Sequence, residues 1–139
     1  MLKTRPAKEV LVRMPNAIGA LDKMAKMISE TGVNLLAVSA WVEHDQAIIR
    51  LLTDDSVRLL DTLRAHKYQL READVLVTEL PHKPGMLHRI TDRLAQSEID
   101  IHHLYTAPGP DGRALVVFQT ANNDRAMVLL HSARTAATA

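Results

Sequence analysis

The chain has 139 residues, a formal net charge of +1, 47% hydrophobic residues and 24% charged residues. This near balance of charge argues against a dedicated nucleic-acid binder, which needs surplus Lys and Arg to neutralise phosphates. The 3% aromatic content argues against a base-stacking surface. Because the sequence contains no cysteine, disulfides, thiolate catalysis and Cys-ligated metal clusters are excluded.

Targeting and membrane segments are not evident. Residues 1–8 are polar and basic, without the apolar stretch of a signal peptide. No run approaches the ~20 apolar residues that a membrane span requires. We therefore expect a soluble, cytoplasmic protein that binds neither nucleic acid nor membrane.

An internal repeat organises the chain. Pro15 aligns with Pro81 and Gly19 with Gly85 at the same offset, and no gap is needed between them. Apolar positions keep their phase along this alignment for about 40 residues, longer than chance would allow. The sequence is therefore interpreted as two copies of one structural unit.

The first copy reads as strand, helix, two strands, helix and closing strand. Its predicted elements are a strand at 10–14 stopped by Pro15, a helix at 18–28 with Asn16 as N-cap, strands at 33–42 and 47–52 around a turn at 44–46, a helix begun by caps at 54–56, and a strand at 68–72. Ala73-Asp74 then separates this copy from the next.

The second copy follows the same order. Its predicted elements are a strand at 75–80 stopped by Pro81, a helix that begins at Pro84 and has its apolar stripe at 87, 90 and 94, strands at 99–106 and 114–118 around a Pro-Gly turn, and a helix capped at 122–124. We therefore predict an α+β fold: two ferredoxin-like βαββα(β) repeats with antiparallel sheets and helices on one face. The repeats are placed at 8–73 and 74–131, the second without its last strand, before a disordered tail at 132–139.

The segment Glu79–Leu87 resembles the first-loop signature of ACT domains, in which a strand ends, a Pro-Gly loop follows and a helix begins. Residues 99–101, Ile-Asp-Ile, match the family's Ile/Val-Asn-Ile start of the next strand. The first copy fits through 16–21 and 32–35, but has Ile18 where the family usually has proline. The chain thus resembles a free-standing tandem pair of ACT domains.

This resemblance implies a non-catalytic regulatory module that binds a small amino acid between the loop of one ACT unit and the second strand of another, and signals to a partner enzyme. It also implies a homodimer, because sheet edges of such units pair, and no cofactor or metal. The candidate ligand-binding residues are Asn16, Ala17, Ile18, Gly19, Asn34 and Leu35 in the first copy, and His82, Lys83, Gly85 and Asp100 in the second.

Elementary chemistry agrees with this implication. Free N–H groups at a helix start favour a carboxylate, and a side-chain amide can address both ends of a zwitterion. Asn16 and Asn34 resemble the serine-contacting asparagines in the ACT domain of phosphoglycerate dehydrogenase, so the primary site is expected in the first copy. For Gly19 and Gly85, tight helix–strand packing and close ligand approach are equally good explanations.

Two alternatives remain open. The first is a regulatory subunit that acts by protein contact with little ligand affinity. The second is a histidine-rich, metal-binding ferredoxin-like protein, which the five histidines of the second half suggest. The adjacent pair His102 and His103 argues against the second, because neighbouring strand residues point to opposite faces.

Overall fold

The computed structural model describes residues 2–138, and the side chains of residues 2–131. Its elements are, in order, β1 (Lys3–Pro15), α1 (Ala20–Glu30), β2 (Leu35–Glu43), β3 (Gln46–Thr53), α2 (Ser56–Ala65), β4 (Gln69–Pro81), α3 (Met86–Gln96), β5 (Ile101–Pro108), β6 (Arg113–Thr120) and α4 (Asn123–Thr138). Contacts divide the chain into a first unit, Lys8–Ala73, and a second unit, residues 2–7 with 74–138. Within these residues, no helix combines the length and apolar character needed to cross a bilayer.

The first unit has strand order β2-β3-β1-β4, with residues 8–15 of β1 and 69–73 of β4. β3 pairs antiparallel with both β1 and β2. The core joins the inward residues of β1 and β3 to the apolar stripes of α1 and α2, namely Val10, Val12, Met14, Met24, Ile28, Val33, Ile49, Leu51, Leu59, Leu60 and Leu63. This arrangement confirms the predicted ferredoxin-like fold class.

The boundaries of these elements have local causes. Gly32 adopts φ 76° just after α1 and ends the helix, as glycine does without steric cost. The side chain of Asp55 accepts a hydrogen bond from the N–H of Arg58 at 3.0 Å and caps α2. His44 and Asp45, both with positive φ, form the tight turn between β2 and β3.

The second unit repeats the order as β5-β6-β4 followed by residues 2–7, with β6 antiparallel to β4 and β5. Its core consists of Leu2, Leu76, Leu80, Met86, Ile90, Leu94, Ile99, Val116, Phe118, Ala126 and Leu130. The hydroxyls of Thr4 and Thr78 lie 2.9 Å apart. The N-terminal segment therefore lies beside β4 and contributes one large side chain to this core.

This placement corrects the expectation that the second repeat lacks its last strand. Residues 2–7 take that fourth place, although they come first in the chain. The segment is polar apart from Leu2, Pro6 and Ala7, so no apolar alternation marks it as a strand. Likewise, β4 continues through Ala73-Asp74, where the sequence predicts a break. The structure describes residues 132–138 as the last part of α4, not as the disordered tail that the sequence predicts.

One ion pair lies on the sheet residues of the first unit that face away from its core. Nη1 of Arg50 on β3 donates to Oε1 of Glu9 on β1 at 2.7 Å, and the Glu9 side chain is fully buried. The same guanidinium lies over the ring of Trp41 on β2, 5.6 Å from its centroid. Arg50 thus connects three adjacent strands.

Candidate functional site

The loop between β1 and α1 consists of the predicted site residues Asn16, Ala17, Ile18 and Gly19. The N–H of Asn16 donates to the carbonyl of Asp45 at 2.9 Å, which joins the loop to the β2–β3 turn. The N–H of Ala20 donates to the carbonyl of Ala17 at 3.1 Å. The side chain of Ile18 is fully exposed at the tip.

Both loop helices begin after a glycine, which corrects the sequence prediction. Asn16 is not the N-cap of α1, and Pro84 is not the first helical residue of α3. The N-caps are Gly19 and Gly85, each with φ 84° and no side-chain cap. The chain must reverse direction between strand and helix, and a left-handed residue accomplishes this turn without steric cost only when it is glycine.

The space above the two glycines is open. A Cβ atom built on Gly19 or Gly85 would meet nothing within 4 Å. Tight helix–strand packing, one of the two explanations offered by the sequence, therefore does not account for these residues, whereas their backbone conformation does. Ligand approach to this open space stays a prediction.

A cleft of about 330 Å³ lies beside the first loop, near the lower end of the range for small-molecule sites. Its lining includes three predicted residues, Asn16, Ala17 and Gly19, together with Trp41 and Val42 of β2. Asp22 supplies its single charged side chain among the described lining residues. The first cleft is thus largely apolar, with one amide, one indole and one carboxylate.

The second loop lies over a larger cleft. The N–H of Lys83 donates to the carbonyl of Pro81 at 3.0 Å, and the N–H of Met86 to the carbonyl of Lys83 at 3.4 Å. The cleft measures about 620 Å³, well within the usual range for ligand pockets. Its lining includes the predicted His82, Lys83 and Gly85, and extends to the β5–β6 connection and Arg113.

The strand-start residues lie away from both loops of their own unit. Pro15, just before the first loop, pairs with Gln46, whereas Leu35 pairs with Thr53 at the other end of β3. An extended strand of that length spans about 23 Å. A single unit therefore does not bring Asn34 and Leu35 to the same small ligand as Asn16.

The second unit shows the same separation. Pro81 pairs with Arg113 at one end of β6, and Ile101 pairs with Thr120 at the other. The carbonyl of Asp100 accepts from the N–H of Ala121 at 2.9 Å, beyond β6. Asp100 is consequently remote from Lys83 within this unit.

Asn34 has its backbone fixed while its side chain is exposed. Its N–H donates to Oδ1 of Asp54 at 3.0 Å, and its carbonyl accepts from the N–H of Asp54 at 3.3 Å. The Asp100 side chain is also exposed, and its Oδ2 lies 3.8 Å from Nε2 of His102. Both side chains face solvent at a strand start and are accessible to a partner.

Two cleft residues were missed by sequence reasoning. Trp41 belongs to no ligand-binding motif, yet it lines the first cleft with 39% of its surface exposed. Arg113 follows the Pro-Gly turn without any motif, and lines the second cleft. The repeat alignment does contain a signal for Arg113. The aligned residue of the first copy is Ala47, so the second copy has a cation where the first has a small apolar residue.

The histidines remain dispersed. His103 stacks on Tyr105 with ring centroids 6.2 Å apart. Among the described residues, no three His, Cys, Asp or Glu side chains converge on a point where a metal ion could be held.

Two βαββα units, each with a strand-to-helix loop beside a cleft, define a tandem pair of ferredoxin-like domains. The family model for the ACT domain pair matches residues 7–135, so the chain belongs to the ACT domain pair family. No curated protein matches the sequence.

Solved structures share this fold at low sequence identity. A protein of Bacteroides thetaiotaomicron has a TM-score of 0.86 and 21% identity, with 94% of this chain and 90% of that chain covered. The regulatory subunit of aspartate kinase from Thermus thermophilus has a TM-score of 0.65 and 13% identity, covering 94% and 97%. The corresponding subunit from Thermus flavus has a TM-score of 0.62 and 15% identity, covering 98% and 95%.

Proposed function

We propose that this ACT domain pair is a non-catalytic, cytoplasmic regulatory module that binds a small amino acid and signals its presence to a partner enzyme. The observation that carries the proposal is the first loop, ordered against the β2–β3 turn beside an open cleft. Family membership supports it, as do structural neighbours described as regulatory subunits of aspartate kinase.

The proposed site needs two copies of the chain. Asn16, in the β1–α1 loop, lies beside the end of β2, whereas Asn34 lies just before its start. One unit therefore cannot bind the same small ligand with both amides. If the β2 edges of two copies pair antiparallel, the start of one β2 lies opposite the end of the other. Asn34 of one subunit then comes beside Asn16 in the partner, and two equivalent sites form around the two-fold axis.

The β2 edge has the character that this pairing requires. β2 is the outermost strand in the first unit, and an unpaired edge offers free backbone donors and acceptors. Val38, Trp41 and Val42 on this strand are 45%, 39% and 56% exposed. Ile18 and Leu21 add exposed apolar surface beside them. This edge supports a homodimer better than the edge of β4, which residues 2–7 cover.

The chemistry of the two amides fits a zwitterion. Each side-chain amide offers two donors to a carboxylate and one acceptor to an ammonium group. Asp22 adds a negative charge in the first cleft, and the apolar wall leaves room for a small side chain. A small amino acid is therefore the ligand class that this combined site would prefer.

Signalling follows from the shared site. A ligand that contacts both subunits binds only the paired state, so it shifts the population toward that state. An enzyme that recognises the paired form would then respond to the amino-acid concentration. No chemical step by the module itself is required.

The proposal is tested by a thermal-shift screen of the twenty amino acids, followed by calorimetry on Asn34→Ala. At a hundred times Kd, a ligand should stabilise the protein by about 2.7 kcal/mol. Asn34→Ala removes hydrogen bonds to a charged ligand, each worth about 1.5–3 kcal/mol, so affinity should fall at least tenfold. Asp100→Ala, the matched strand-start residue of the second unit, is the control and should matter less.

Three results would contradict the proposal or part of it. If no amino acid stabilises the protein while an enzyme co-purifies with it, regulation acts by protein contact alone. Loss of binding in Asp100→Ala with none in Asn34→Ala would transfer the site to the second unit. An unchanged affinity in both variants would remove the two strand starts from the site.

A further inference from the structure

The two clefts differ in the sign of their charge. Among the described lining residues, the first cleft has Asp22 as its only charged side chain, whereas the second has Lys83 and Arg113 and no Asp or Glu. In the repeat alignment, Lys83 and Arg113 take the places of Ala17 and Ala47. The second copy thus carries two cations at positions where the first has alanine.

The two cations line the same cleft. Arg113 begins β6 and pairs with Pro81, the last residue of β4, while Lys83 follows two residues later. Nη2 of Arg113 donates to the backbone carbonyl of Glu79 at 3.3 Å, and its side chain is only partly exposed. The guanidinium is therefore held at the cleft wall, and the exposed Lys83 adds a movable charge beside it.

The body of the cleft is apolar. Leu80 and Met86 form buried walls at 4% and 8% exposure, and Leu87 adds a half-exposed one. Pro108 and Ala114 line it from the β5–β6 side. When such a surface covers an apolar group of a ligand, the burial of apolar area stabilises the complex.

An ammonium group would lack a carboxylate partner in this cleft. Asp100 lies at the other end of β6 from Lys83 within the unit. An ammonium would instead meet two positive charges of like sign, which disfavours it electrostatically. Within one unit, this cleft therefore disfavours a zwitterion.

We propose that the second cleft is a separate site for a small organic carboxylate with an apolar body and no ammonium group. Arg113 and Lys83 bind the carboxylate, since a guanidinium fork matches its two oxygens, and the Leu80–Met86 wall covers the body. This site does not rest on the proposed amino-acid site, because it uses different residues of the other unit. The chain would then sense two metabolite classes, one in each copy.

The test compares three matched probes by calorimetry on the full chain. 3-Phenylpropanoate has the carboxylate and the apolar ring, phenylalanine adds an ammonium group, and 3-phenylpropanamide lacks the negative charge. We expect 3-phenylpropanoate to bind at least tenfold more tightly than either of the others. Lys83→Ala, which restores the residue of the first copy, should weaken this binding about tenfold, the effect of one lost charge-assisted hydrogen bond.

Matched controls separate this site from the amino-acid site. Arg125→Ala removes an exposed cation from the same unit outside the cleft and should leave binding unchanged, as should Asn16→Ala in the other unit. Arg113→Lys keeps the positive charge but removes the planar guanidinium group. We expect this variant to fold and to bind 3-phenylpropanoate more weakly than wild type. Equal affinities for 3-phenylpropanoate and phenylalanine, displacement of the probe by inorganic phosphate at equal concentration, or an unaffected Lys83→Ala variant would each overturn the proposal.

Discussion

Asn16 and Asn34 are tied to opposite ends of one β-hairpin. The N–H of Asn16 donates to Asp45 in the β2–β3 turn, and the N–H of Asn34 donates to the carboxylate of Asp54 just beyond β3. The hairpin thus fixes the separation between the two amides. A ligand that uses both must lie between two subunits, which makes ligand binding and assembly thermodynamically linked.

The first prediction concerns the proposed β2 edge. Val42→Lys should raise the dissociation constant of the homodimer at least tenfold, because a lysine on an edge strand opposes pairing with a second edge. Val57→Lys is the control, since Val57 is equally apolar and 68% exposed but lies on α2. Light scattering at tens of micromolar decides the question. A wild-type monomer, or a Val42→Lys dimer as tight as wild type, would contradict the prediction.

The second prediction concerns the N-terminal segment. Leu2 is 2% exposed in the core of the second unit, so Leu2→Ala should lower the free energy of unfolding by about 2–3 kcal/mol, the lower part of the range for core leucines. Lys3→Ala, which changes an exposed side chain, should have almost no effect. Urea denaturation measures both. In Leu2→Ala, the backbone amides of residues 74–81 should also exchange hydrogen faster than in wild type. Equal denaturation midpoints for Leu2→Ala and Lys3→Ala would show that Leu2 does not stabilise the second unit.

The third prediction concerns the buried carboxylate of Glu9. Arg50→Ala removes the guanidinium that pairs with it, and should destabilise the protein by about 3 kcal/mol, because a buried charge then loses its ion-pair partner. Arg13→Ala, at an exposed position on β1, is the control. The double variant Glu9→Leu/Arg50→Met should recover most of the loss, since it removes both charges together. Chemical denaturation followed through Trp41 fluorescence reports all three. A double variant no more stable than Arg50→Ala would show that the charge is not the cause.

Much of the fold is predictable because apolar spacing encodes it directly. The inward residues Val10, Val12 and Met14 recur at every second position, the period of a strand, and Met24 and Ile28 recur with the period of a helix. The repeat then allows each copy to support the interpretation of the other. Residues 2–7 escape this logic, because their strand is defined by the neighbouring β4 rather than by their own pattern.

The candidate sites are less predictable for a related reason. Loop residues such as Gly85 are marked by local backbone demands, and a short motif captures them. Arg113 is marked by nothing local, because it reaches the cleft only through the pairing of β6 with β4. The distance between Asn16 and Asn34 likewise depends on strand register, which sequence spacing alone does not reveal.

The most direct test of the shared amino-acid site is subunit complementation. Asn16→Ala and Asn34→Ala each damage both sites of a homodimer, so each variant alone should bind the amino acid at least tenfold more weakly than wild type. A heterodimer purified through two different tags contains one site with both substitutions and one site with neither. Calorimetry should therefore find one wild-type-affinity site per heterodimer. If the heterodimer binds as weakly as the two homodimers, the amides do not meet across a subunit interface and the account is wrong.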